Sequence, residues 1–493
     1  MKSTVPDLRV RVANRGAVRP DAAFVLYWMT AARRRRSNFA LQRAVDHARH
    51  LGKPLVVFEA LRCGYPWASD RLHRFVLDGM ASNAAAFGNS AATYYPYVEP
   101  TPDAGKGLLA ALAERACVVV GDDYPCFHGP AMTAAAAMQI ACALEVVDGN
   151  GVLPMRVADK VFGRAFDFRR FMQKVVLSHL ADAPRADPLA RVTLPALASL
   201  PVALRKRWPQ SDARTLAGDA GLLASLPIDH AVPVVTATPG GADAARARLA
   251  TFVRKQLARY HDDRNHPDLD AASGLSPYLH FGHVGAHEVF TAVAKASGWK
   301  APAVAPAAAG KVEGFWRMGA GADAFLDQLI TWRELGFNFC HHRADHARYE
   351  SLPAWVQATL AEGARDPRPV VYDLATLEAA ATHDPLWNAA QTQLRRDGTI
   401  HNYLRMLWGK KILEWSATPQ AALDAMIALN DRWALDGRDP NSYSGILWCL
   451  GRYDRPWAPR RPIFGMIRYM SSDSARRKLR LKAYLARYGA DAE

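Results

Sequence analysis

Cysteine is scarce in this chain: there are six in 493 residues, and Cys63, Cys117, Cys126, Cys142, Cys340 and Cys449 form no CxxC pair and no zinc spacing. That excludes a disulfide-stapled scaffold and fits a reduced, cytoplasmic protein. No run of about 18 or more apolar residues stands free of charge, so no membrane-spanning helix is expected. Residues 1–20 are basic but lack an apolar stretch, and read as a short flexible arm, not a secretory leader. His341, His342 and His346 form HHxxxH without an HExxH-type base or a partnering carboxylate motif, so no metal site is expected. No Ser or Cys stands in a GxSxG elbow. Acidic residues are the scarcer charge: 47 Asp and Glu against 62 Lys and Arg leave a formal net charge of +15. Such a balance favours a polyanionic partner, most simply nucleic acid.

What is present begins with alternation. Apolar runs of strand type at 22–29, 54–61, 92–98, 117–121 and 144–148 are separated by helical patterns at 37–51, 70–87, 106–115 and 130–143. Five such strands predict a parallel, Rossmann-like α/β sheet covered on both faces. It lacks a GxGxxG turn and a GxxxxGK[ST] loop; Gly105-Lys106-Gly107 is only a fragment. The arginines at 33–36 suit either phosphate contact or a solvated helix entrance. Residues 182–241 turn to Ala, Pro, Leu and Arg with irregular spacing, as an interdomain connector would. Helical patterns dominate afterwards. The expected organisation is an arm at 1–20, an α/β domain at 21–181, a linker at 182–241 and an all-α domain at 242–488.

The most informative stretch is 382–444, with four tryptophans among charged and amide residues. Asp384-Pro385 reads as a helix start and Gly398 as its stop. A second helix is expected from about Thr399 to Ser416, with Trp408 and Trp415 two turns apart on one face. Thr418-Pro419 opens a third, carrying Trp433, for which core filling is the expected role. Upstream, Ser276-Pro277 reads as a cap and first helical residue, where exposed N–H groups suit a diphosphate.

The segments DPLWNAAQ (384–391), HNYLRMLWGKKILEW (401–415) and LNDRWALDGRDPNSYSGILW (429–448) resemble the C-terminal domain of class II cyclobutane-pyrimidine-dimer photolyases, in the photolyase/cryptochrome superfamily. The resemblance continues through RPIFGMIRYMSS (461–472), LSPYLHFG (275–282), WRELGFNFC (332–340) and VLYWM (25–29), in order over nearly the whole chain. It implies an FAD-binding helical domain and an antenna-type α/β domain. Some relatives hold a second chromophore in the latter, often a deazaflavin, and the residues here leave its presence open. Implied FAD contacts are Tyr260, Ser273, Gly274, Leu275, Ser276, Asn338, Arg405, Asn430, Asp436 and Asp439, with Asn430 facing the flavin N5. Implied electron carriers, in order from the flavin, are Trp408, Trp387 and then Trp415 near the surface, so photoreduction of the flavin is expected. The DNA side falls to Trp332, Met406 and Trp448 as flat or adaptable walls for a flipped dimer, with Arg455, Trp457 and Arg468 as backbone and bubble contacts. The basic run at 476–482 suits phosphates or a solvated helix face equally.

One position departs from the family pattern. Most class II relatives carry a Glu where this chain has Gln328, preceded by Asp327. A Gln amide still donates to a pyrimidine carbonyl but supplies neither proton nor charge. The implied activity is therefore light-driven dimer repair by a monomer acting on DNA, and the alternative is a cryptochrome-like photoreceptor that keeps the flavin and tryptophans but has lost or altered repair.

Overall fold

The computed structural model describes residues 3–302 and 307–489; residues 1 and 2 of the expected arm lie outside them. The chain forms two compact units, neither contiguous in sequence. The first holds the residues up to Asp159 together with Val176–Ala250 and Leu275–Ala292; the second holds Lys160–Val175, Thr251–Gly274 and the chain from Val293 onward.

In the first unit, strands β1 (Val10–Val12), β2 (Phe24–Met29), β3 (Leu55–Leu61), β4 (Ala92–Val98), β5 (Ala116–Asp122) and β6 (Ala143–Val147) form one sheet in the order β1-β6-β5-β2-β3-β4. The five expected strands pair in parallel. All six residues of β2 are buried because helices cover both faces, and its alternate residues enter different cores. Val25, Tyr27 and Met29 join one cluster; Phe24, Leu26 and Trp28 join the other.

Three sequence expectations change here. The N-terminal arm is not free: β1 pairs antiparallel with β6, and Arg9, 1% exposed, donates to the carbonyls of Asp148 (3.1 Å) and Val152 (2.7 Å). A three-residue strand is too short to announce itself in sequence, and its partner supplies the pairing. The arginines at 33–36 are mostly consumed internally. Arg33 pairs with Glu59 at 2.9 Å, Arg34 donates to Ser37 and Gly282 carbonyls, and Arg35 forks onto Asp187. The segment expected to be a connector packs into the first unit, placing Leu200, Leu204 and Trp208 in a sheet-face core.

The second unit is helical. Asp384 caps Pro385–Asp397 by accepting from Leu386 and Trp387 N–H, and Gly398 ends that helix at φ 67°. Asn402–Trp415 and Pro419–Trp433 follow, the latter capped by Thr418. Asp439 then caps Pro440–Cys449. Two glycines let this last helix come close. A Cβ on Gly409 would lie 2.5 Å from Cys449 Sγ, and one on Gly336 would lie 2.9 Å from the Pro440 carbonyl oxygen.

Candidate functional site

The tryptophans lie in the second unit, inside the helical packing. Trp387 is fully buried and its indole N–H donates to the main-chain oxygen of Trp408 at 3.0 Å. Trp408 donates its own N–H to Gln391 Oε1 at 2.9 Å. The rings of Trp387 and Trp415 meet edge to face, 5.5 Å between centroids. Trp415 is 3% exposed, not at the surface as expected, because Tyr372 and His383 cover it at 5.4 and 5.3 Å. Trp433 is buried and donates to Glu378 at 2.7 Å, a core role.

A polar cluster sits on the next helices. Arg405 and Asp436 form a partly exposed ion pair at 3.2 Å. Asn430, 4% exposed, donates one amide N–H to Asp431 Oδ1 at 3.1 Å. Asp431 also takes the Arg438 main-chain N–H (2.9 Å) and the Tyr443 hydroxyl (3.3 Å). Burial pushes its carboxyl above the usual range, against the pull of Arg438. Two of the expected contacts carry structural bonds. Asn338 donates to Lys160 O and accepts from Phe162 N, while Asp439 caps its helix through Asn441 N–H at 2.8 Å.

Tyr260 is buried edge-on to Phe252 and Phe325. Ser273 is half-buried, and exposed Gly274 has φ 64°. Leu275 and Ser276 belong to the first unit, where the short helix starts one residue earlier than expected: Leu275 is the cap and Ser276 the first helical residue.

A flat apolar wall completes the second unit. Trp332 and Trp448 stack at 4.4 Å and 15°, and Trp448 donates to Asp454 at 3.1 Å. Met406 Sδ lies 3.9 Å from the sulfur of Cys449, next to Trp448 in the chain. Trp332 closes the π-helical turn Asp327–Trp332, which also holds half-buried Gln328. Asp327 is locked by Arg169 through bonds of 2.6 and 3.1 Å, so the turn is fixed from behind. π-turns of this kind are concentrated at functional sites. Trp457 is 43% exposed, with the Arg455 and Arg468 guanidiniums 5.4 and 5.8 Å from its ring centre.

No family model matches the chain. The deoxyribodipyrimidine photo-lyase of Methanothermobacter thermautotrophicus is 32% identical over 488 residues, which cover 97% of each chain. The chain belongs to the photolyase/cryptochrome superfamily. Its fold is that of a class III photolyase from Agrobacterium tumefaciens (TM-score 0.67, 17% identical, covering 95% of this chain and 86% of that one). It is also that of a Synechocystis cryptochrome (TM-score 0.63, 14% identical, 94% and 88% covered). At those identities the structures speak for the fold alone.

The polar residues of the second unit fit the flavin that the motif resemblance implies. A guanidinium–carboxylate pair and a buried amide whose oxygen has no partner among the described residues suit the polar edge of a flavin. Three buried polar side chains on these helices were not legible in sequence. Gln391 lies inside the quoted DPLWNAAQ, but nothing in sequence joins it to Trp408. Asp431 is hidden beside Asn430. Lys410 is fully buried, with no partner for its ammonium among the described residues, and burial pulls it down to about 8. A lysine in the middle of a helix reads as solvent-facing, and only packing reveals the opposite.

Proposed function

We propose that this protein is a class II-type photolyase that repairs cyclobutane pyrimidine dimers in DNA, acting as a cytoplasmic monomer. The observation that carries the proposal is the Trp332–Trp448 stack at 4.4 Å, with Met406 beside it on the helix that also carries Arg405, Trp408 and Trp415. Stacked indoles present flat faces of the size of a pyrimidine, and a lesion that already weakens stacking is the cheapest base pair to extrude.

When bound, reduced FAD supplies a light-excited electron that splits the dimer and is then returned, so the reaction is a carbon–carbon lyase step without net redox change. The chain's own residues bind, orient and exclude water. Arg405, Asp436 and Asn430 would hold the polar edge of the flavin, and Tyr260, Ser273 and Gly274 of the same unit the rest of the dinucleotide. Trp332, Trp448 and Met406 line the dimer, Gln328 donates its amide to a pyrimidine carbonyl, and Arg455, Trp457 and Arg468 contact the strand. Trp415, Trp387 and Trp408 relay electrons inward to keep the flavin reduced. A deazaflavin-type antenna in the first unit is an optional addition.

Gln328 favours a second reading, a photoreceptor without repair, since an amide replaces the carboxyl usual in class II relatives. One measurement separates the two: blue-light loss of dimers from DNA with photoreduced protein, with dark and Gln328→Glu controls. Light-dependent repair by the native protein is expected, faster in Gln328→Glu. If neither protein repairs while the flavin still photoreduces, the repair proposal is wrong.

A further inference from the structure

We propose that Gln391 is a positioning residue of the electron path, holding the indole proton of Trp408 in place while charge passes. The inference rests on reading Trp408, Trp387 and Trp415 as electron carriers and assigns a role to a side chain outside that series.

Trp387 and Gln391 are four apart on one helix and therefore share a face. Both reach Trp408: Trp387 donates to its main-chain oxygen, and Gln391 Oε1 accepts its indole N–H. Gln391 has no solvent exposure, and its Nε2 donates to the Glu378 carbonyl at 3.4 Å, which fixes the amide with oxygen toward Trp408. The nearby Glu378 carboxylate is occupied by Trp433 (2.7 Å) and Arg432 (3.1 Å). The two inner indoles thus donate to amide oxygens, whereas Trp415 has no N–H acceptor among the described residues.

The chemical consequence follows from acidity. Losing one electron makes an indole N–H strongly acidic, and a proton lost to a base traps the charge on that ring. An amide oxygen is too weak a base to take it, yet its hydrogen bond strengthens as the ring turns positive in a dry interior. Trp408 loses one electron to light-excited oxidised FAD, which is reduced by that electron. Trp387 then returns one electron to Trp408, and Trp415 one to Trp387. No bond forms or breaks in these transfers and the Trp408 proton stays on nitrogen. Two thiols in solution restore two oxidised Trp415 rings, giving one electron each, releasing their protons to water and joining as one disulfide.

The test is flash photolysis of the full-length, FAD-loaded protein and its Gln391→Glu variant across pH, in H2O and D2O. Absorption distinguishes protonated from deprotonated tryptophan radicals. The native protein is expected to show a protonated inner radical, no deuterium effect on that transfer and no pH dependence. In Gln391→Glu, lasting flavin photoreduction is expected to fall roughly tenfold or more once the introduced carboxyl ionises, with a deuterium effect, and to recover at lower pH. Gln391→His supplies a neutral base and gives the same readout should the carboxyl impair folding. If the variants form radicals with native spectra at every pH, the role of Gln391 is overturned while the electron path stands. If the native protein forms no tryptophan radical, the path itself falls, and this role with it.

Discussion

Arg405 and Asp436 lie 31 positions apart, and only the turn after Trp433 brings guanidinium and carboxylate to 3.2 Å. The pair keeps side-chain exposures of 25% and 12%, so solvent screens part of its strength. Asp436→Asn removes the charge but not the shape. It is expected to weaken FAD binding by about 1–2 kcal/mol, a five- to thirtyfold loss readable by fluorescence titration of the apoprotein. Unchanged affinity would show that the pair serves only the loop. Asn430, Arg405 and Asp436 could be named because they match the motifs of the family the chain resembles. Gln391 could not, because an amide at a helical i+4 position announces no partner.

At the scale of elements, the wall of the site depends on how closely three helices approach. Gly409 sits on Asn402–Trp415 between Arg405, Met406 and Trp408 on one side and Trp415 on the other. Its missing side chain admits Cys449, and a Cβ there would stand 2.8 Å from Cys449 Cβ, which has no flexible end to move aside. Gly409→Ala is therefore expected to destabilise the protein by about 1–3 kcal/mol through overpacking, despite alanine's better helix propensity. Chemical denaturation measures this; a stabilised variant would show that the helices have room to separate. The caps were legible here, since Asp384, Gly398, Thr418 and Asp439 take the roles their types suggest. The π-turn at Asp327–Trp332 was not, because its register depends on Arg169 from a distant segment.

At the scale of the whole molecule, charge and burial set the response to conditions. In the first unit burial pulls His73 down to about 4 and both His283 and His287 down to about 3, from 6.5. The unfolded chain takes up these protons below 6.5 and the folded unit does not, so stability falls as pH drops from there toward 3–4. Each proton contributes about 1.4 kcal/mol per pH unit. Burial also works against the charge of Glu145, but Arg43 and His47 outweigh it and hold the carboxyl at about 2, adding a loss between 4.5 and 2. Urea midpoints between pH 7 and 4 should decline steadily; a flat profile would contradict neutral buried histidines. The net charge of +15 predicts strongly salt-dependent DNA binding. Arg468→Ala is expected to reduce the log–log salt slope by about one, as loss of a single phosphate contact would. No helix among the described residues is long and apolar enough to cross a membrane.

The sequence alone specified the α/β sheet and the helical second half, because continuous apolar runs, Asp-Pro starts and a glycine stop act locally. It also marked the tryptophans and the polar residues that match the family's motifs. The tertiary structure decided the rest. It paired a three-residue strand onto the sheet edge, buried Arg9 and Arg34, and folded the supposed linker into a core. It stacked Trp332 on Trp448 across 116 positions and gave Trp408 its acceptor. These outcomes depend on which surfaces meet and on which buried polar atoms must be satisfied, and neither is encoded in the spacing along any one segment.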